Sequence, residues 1–86
     1  MSKTRAAKPP TIRISEAAKA AGVSRQTVEY YIMLGLIVPI RPDGGGRFFD
    51  AALVRRIRLI RKLNRTGYTL RAIRETYLAR RARGGK

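Results

Sequence analysis

The stretch ISEAAKAAGVSRQTVEYYIMLGLIVP, Ile14 to Pro39, decides the fold. Ser15 is a natural N-cap for a first helix over Glu16 to Ala21, with an acid in the first turn where the helix dipole favours it. Gly22 supplies the left-handed stop and Val23 the apolar contact that closes the turn. Ser24 caps a second helix over Arg25 to Leu34, which Gly35 ends. Two short helices joined by three residues that include glycine form a helix-turn-helix unit.

Outward from that unit, Pro39 and Pro42 bar further helix. Ile40-Arg41 and Arg47-Phe48-Phe49 can pair as a short hairpin around Pro42-Asp43-Gly44-Gly45-Gly46. Asp50 then caps a long third helix, on which Leu53, Ile57, Ile60 and Leu63 recur at three- and four-residue steps and form one buried face. Gly67 ends it, and Thr69 caps a fourth helix carrying Leu70, Ile73 and Tyr77 on one side. The order predicts a mainly α fold, a winged helix-turn-helix with the sequence helix, helix, β hairpin, helix, helix.

Residues 1–10 and 81–86 read as flexible basic tails, because neither carries enough apolar surface to offset its ordering entropy. Residues 11–80 form the single domain that 86 residues allow. A core of about 67 residues buries only ~60% of its unfolded surface, which leaves little room for a deep substrate cleft. No cysteine or histidine is present, so disulfides, thiolate or imidazole metal sites and Cys or His catalysis fall away together. The only acids, Glu16, Glu29, Asp43, Asp50 and Glu75, are scattered, which argues against paired-carboxylate chemistry. An enzyme, a cofactor and a catalytic or metal site are therefore not expected. The longest apolar run, Tyr30 to Ile40, is broken by Gly35 and Pro39 and is too short to span a membrane. The amino terminus lacks the apolar segment of a secretion signal, so the cytoplasm, at the nucleoid, is the expected compartment.

The balance of 20 Lys and Arg against 5 Asp and Glu gives a net charge of +15. Such an excess repels itself in a small domain unless a polyanion neutralises it, which points to nucleic acid ahead of a membrane surface. A recognition helix places its N-terminal residues at base edges and phosphates. Arg25 and Gln26 come first, since Arg pairs with guanine and Gln with adenine, each worth ~1–3 kcal/mol of discrimination. Ser24 and Thr27 can donate to phosphate beside the free amides of the helix start, with a buried helix position the alternative for Thr27. Val28 and Tyr31 read as core. In the wing, the glycines let backbone approach the sugar–phosphate chain. Arg47 is the candidate for a backbone or minor-groove contact, and Arg41 flanks it. On the third helix, Arg55, Arg56 and Arg58 lie near the start, close to the wing and within reach of phosphate. Arg61, Lys62 and Arg65 read as a solvated face. The tail cations (Lys3, Arg5, Lys8; Arg80, Arg81, Arg83, Lys86) add sequence-independent attraction.

These residues in register resemble the DNA-binding domain of MerR-family transcription regulators, from about Ile12 to Leu78. The resemblance is carried by Ser15-Glu16-Ala17-Ala18, Gly22-Val23-Ser24, Thr27-Val28, Tyr30-Tyr31, Gly35-Leu36, Pro39, Arg47 and Phe49. It continues through Leu59-Ile60-Arg61-Lys62-Leu63, Gly67, Leu70 and Ile73-Arg74. The triple glycine before Arg47 looks most like the wing of the heat-shock-repressor branch. The resemblance implies a bacterial, sequence-specific DNA-binding regulator, with Tyr30 in the place of the family's phosphate-contacting tyrosine and core packing the alternative for that ring. Three departures stand out. Glu29 replaces the family's usual arginine; it either accepts from the amino group of cytosine or only pairs with Arg25 one turn earlier. Ile32 and Met33 replace charged residues; they either form an exposed apolar contact patch or Ile32 tucks under the wing. The sequence ends soon after the fourth helix, so the family's dimerisation helix and effector pocket are not carried over.

One recognition helix reads only a few base pairs, so several copies on DNA are expected, with head-to-tail packing through Ile32 and Met33 and a possible link to the transcription machinery. Two other functions fit the same residues. One is an architectural factor resembling phage excisionases, and the other is an adaptor that docks on another protein through the apolar patch.

Overall fold

The computed structural model describes residues 10–78; the tail cations named above lie outside them. Helix α1 runs over Ile14–Ala21, α2 over Arg25–Met33 and α3 over Ala51–Arg65. The fourth helix, α4, has only one α turn, Leu70–Ala72, and runs on in a wider π winding over Ile73–Leu78. A single 3-10 turn, Pro42–Gly44, lies between α2 and α3.

Helix α1 starts two residues earlier than its sequence predicts. The N-cap is Arg13, which makes no side-chain cap, and Ser15 is already inside the helix. Burial decides this: Ile14 is 8% exposed, and burying an isoleucine contributes about 1.5–3 kcal/mol against about 1 kcal/mol for a serine cap. The two helices of the unit end alike. Gly22 (φ 76°) and Gly35 (φ 81°) adopt the left-handed region. The Val23 amide closes onto the Ala18 carbonyl at 3.0 Å and the Leu36 amide onto the Tyr31 carbonyl at 2.9 Å. Gly35 is also a close approach, since a Cβ there would meet Arg74 Nε at 3.3 Å.

Caps at the other starts form as their residue types dictate. Ser24 accepts from the Thr27 amide, Asp50 from the Leu53 amide and Thr69 from the Ala72 amide. In α4 the Thr76 hydroxyl donates to the Ala72 carbonyl at 2.6 Å, back-bonding of the kind that bends helices. The side chain of Tyr77 lies outside the described ones.

The wing is less of a hairpin than its sequence predicts. Ile40 and Phe48 exchange backbone hydrogen bonds at 2.8 and 2.9 Å, and Arg41 takes no part. Phe49 pairs instead with Ile12, also at 2.8 and 2.9 Å. Among the described residues, each pairing is a single residue pair and no longer strand forms. Successive side chains of extended backbone point to opposite faces. Phe49 is thus fully buried, while half-buried Phe48 faces Arg13, whose guanidinium lies 5.0 Å from the ring centroid.

Phe49 joins Ile14, Ala17, Val28, Tyr31, Leu36, Ile37, Val54, Ile57, Ile60 and Ile73 in one core between α1, α2 and α3. On α3 the deepest positions are Val54, Ile57 and Ile60; Leu53 and Leu63 pack at its margin. The buried stripe is therefore rotated slightly from the expected one. α1 carries small alanines on its buried face, Ala17, Ala18 and Ala21, which lets α2 and α3 both close on it.

Candidate nucleic-acid interface

The N-terminal turn of α2 presents Ser24, Arg25 and Gln26 to solvent, with Thr27 half-buried. The Ser24 and Thr27 hydroxyls lie 2.9 Å apart, so Thr27 is tied into the cap. Val28 and Tyr31 point into the core from the opposite side of the helix. Tyr30, one residue along, is 48% exposed, enough to leave its ring on the surface beside Thr27.

Glu29 is the centre of the site: it keeps the ion pair with Arg25 that spacing offers and gains a closer partner that sequence did not offer. Arg47 of the wing donates Nη1 to Oε1 at 2.8 Å and Nη2 to Oε2 at 2.9 Å. Arg25 stands farther off, with Nε 3.6 Å from Oε2. Arg25 and Arg47 thus converge on one carboxylate, and the wing lies along the recognition helix. The Arg47 hydrogen bonds hold the Glu29 carboxyl below the usual carboxylate range. Partial desolvation opposes this, and the charges of Arg47 and Arg25 reinforce it. The same bridge raises the Arg47 guanidinium further. Arg47 is consequently not a free tip in this structure but half-buried against α2.

The cations of α3 line open grooves at the surface. A groove of about 630 Å³ runs between the start of α2 and the end of α3. Ser24, Thr27 and Tyr30 line one wall, and Arg61, Asn64 and Arg65 the other. Exposed Arg65 and half-buried Arg61, on the face read from sequence as solvated, thus lie beside the start of α2. Burial pushes the Tyr31 phenol up, and the nearby charge of Arg61 works against that shift. Arg58 shares a second groove with Arg61, Lys62 and Arg65, beside Ala21. Arg55 borders a third with Ile12, Phe49 and Asp50, at the base of the wing. Positions 58, 61, 62 and 65 are steps of three and four, so spacing already puts them on one helix face. Arg13, stacked on Phe48, is a further cation at the wing that sequence reading passed over.

The apolar patch expected at Ile32 and Met33 divides. Ile32 is half-buried and packs against the core, whereas Met33 is 72% exposed. The reason is position: Ile32 follows Tyr31 towards the core side of α2, beside the turn that brings Leu36 inside. Among the described residues, no group of three or more His, Cys, Asp or Glu could hold a metal ion. No helix among them is long and apolar enough to cross a membrane.

Two helices, a three-residue turn and an arginine-bearing loop folded along the second helix define a winged helix-turn-helix domain. The chain belongs to the MerR family: the sequence model of the MerR HTH family of regulatory proteins matches residues 12–79. It is 41% identical over 64 residues to the nodulation protein NolA of Bradyrhizobium elkanii, covering 73% of this chain and 29% of that protein. It is 45% identical over 47 residues to the HTH-type transcriptional regulator CueR of Bacillus subtilis, covering 55% of this chain and 33% of that one. The crystal structure of the transcription regulator PbrR691 from Ralstonia metallidurans CH34, in complex with lead(II), superposes with a TM-score of 0.76 at 35% identity. That match covers 85% of this chain and 57% of the regulator. The chain spans about a third or less of the length of these two sequence relatives.

Proposed function

We propose that this protein is a bacterial transcription regulator that binds double-stranded DNA sequence-specifically, at the nucleoid. Helix α2 enters the major groove and the wing, residues 40–49, follows the adjacent backbone or minor groove. The observation that carries the reading is the convergence of Arg25 and Arg47 on one face, with Arg61 and Arg65 alongside. Arg25 and Gln26 read base edges. Ser24, Thr27 and Tyr30 meet phosphate, joined by Arg61 and Arg65 across the groove. Arg41, Arg47, Arg55 and Arg58 extend the contact along the wing side.

A single recognition helix reads too few base pairs to select a genomic site, so the protein acts as several copies on DNA. Met33, exposed at the end of α2, is the side chain available for a contact between copies. The test is selection of bound sequences from a random duplex pool, followed by binding of Arg25→Ala. Recovery of a defined motif, with a loss of about tenfold or more for the variant on that motif, supports the reading. Recovery of no motif, with tight binding to any bent duplex, favours an architectural role instead.

A further inference from the structure

We propose that Glu29 positions the wing: by holding the Arg47 guanidinium against α2 in the free protein, it brings the wing to DNA already in register with the recognition helix. This rests on the DNA-binding reading above and adds a part which that reading does not require.

An acid on a DNA-facing helix repels phosphate, so its presence calls for a compensating role. The bridge supplies one. A two-point carboxylate–guanidinium pair fixes orientation as well as distance. Among the described residues it is the hydrogen-bonded tie between the wing and α2. The hydrogen bonds of the glycine loop are internal, from the Gly44 amide to Arg41 and the Gly45 amide to Pro42. The wing is otherwise anchored at its base, by the pairings of Phe48 with Ile40 and Phe49 with Ile12. Both partners are partly exposed, 26% for Arg47 and 38% for Glu29, and exposed pairs contribute little to stability. The consequence of the bridge is therefore geometric, and its loss leaves the fold intact.

Glu29→Gln separates this role from simple electrostatics because the two predict opposite signs. Removing a negative charge from a phosphate-facing surface strengthens binding if charge alone matters. If Glu29 positions the wing, the same variant weakens binding about three- to tenfold, the factor expected when an untied wing holds its competent pose about a tenth to a third of the time. The experiment measures backbone 15N relaxation of Gly44, Gly45, Gly46 and Arg47 in the DNA-free protein, and anisotropy with the selected duplex at fixed salt. Wild type, Glu29→Gln, Arg47→Gln and the exchanged pair Glu29→Arg/Arg47→Glu are compared. The expected result is a more mobile wing in both single variants, order restored in the exchanged pair, unchanged thermal unfolding, and weaker DNA binding by Glu29→Gln.

Equal wing order in wild type and Glu29→Gln overturns the proposal. So does an unchanged wing with altered preference at one base pair, which would make Glu29 a reader of cytosine. A mobilised wing with unweakened binding also overturns it. If wild type binds no duplex at all, the DNA-binding reading fails by itself, and the relaxation comparison still decides whether Glu29 orders the wing.

Discussion

Replacing Arg61 and Arg65 together by alanine tests whether the groove beside α2 meets DNA. Four cations stand on or beside that face, Arg25, Arg47, Arg61 and Arg65, and the proposed contact adds Arg41 and Arg58 on the wing side. Glu29 offsets part of their charge. Neutralising about five to six phosphates gives a slope of log affinity against log salt of about −5, and removing two contacts brings it to about −3. Between about 0.05 and 0.2 M salt, wild type then loses affinity about a thousandfold and the double variant about sixtyfold. Fluorescence anisotropy of a labelled duplex across a sodium chloride series reads both slopes, with circular dichroism to check that the substitutions leave the helices in place. A double variant with the wild-type slope would show that Arg61 and Arg65 do not face phosphate. A wild-type slope shallower than about −2 would remove the electrostatic basis of the whole reading.

Three further outcomes follow from particular side chains. Phe49 is fully buried at the junction of α1, the wing and α3, so Phe49→Ala should cost about 3–5 kcal/mol in urea unfolding; a loss under about 1 kcal/mol would contradict the packing described. Gly35→Ala should destabilise more than Gly22→Ala. Both have positive φ, which costs an alanine about 1 kcal/mol, but only Gly35 would press a Cβ against Arg74, while Gly22 opens on empty space. Equal effects in parallel melts would refute the difference. For Glu29 the folded carboxyl is depressed below its ordinary value of 4.5, so the bridge is fully formed above that pH. Its contribution is lost as pH falls through the lowered value. Arg47 side-chain NMR signals should therefore stay constant from neutral pH to about 5 and move only below 4.5, a displacement absent from Glu29→Gln.

Local chemistry made much of this legible from sequence. Small oxygen-bearing residues at Ser24, Asp50 and Thr69 cap helices because an amide three residues on needs an acceptor. Gly22 and Gly35 stop helices because their backbone turns left-handed. What sequence misplaced depends on contacts between distant segments. Ile14 draws the start of α1 two residues back, from Glu16 to itself, because the core lies beneath it. The Arg25 pairing that spacing offered Glu29 is present, but the closer partner, Arg47, reaches it from 18 residues away and has no signal in the helix. That the solvated Arg61 and Arg65 lie beside the start of α2 follows from how α2 and α3 both pack on α1, which the spacing within α3 does not contain. The π winding after Ala72 likewise has no local signature in the residues that adopt it.

The isolated pairings of the wing also bear on how the molecule behaves when concentrated. Long, flat sheet margins recruit strands from neighbouring chains and seed aggregation. Here Ile40 and Phe48 satisfy each other, Ile12 and Phe49 do the same, and among the described residues neither couple is extended by a second rung. With Pro39 and Pro42 flanking the first couple, foreign backbone finds no ladder to prolong. The wing is in this way kept from adhering to copies of itself.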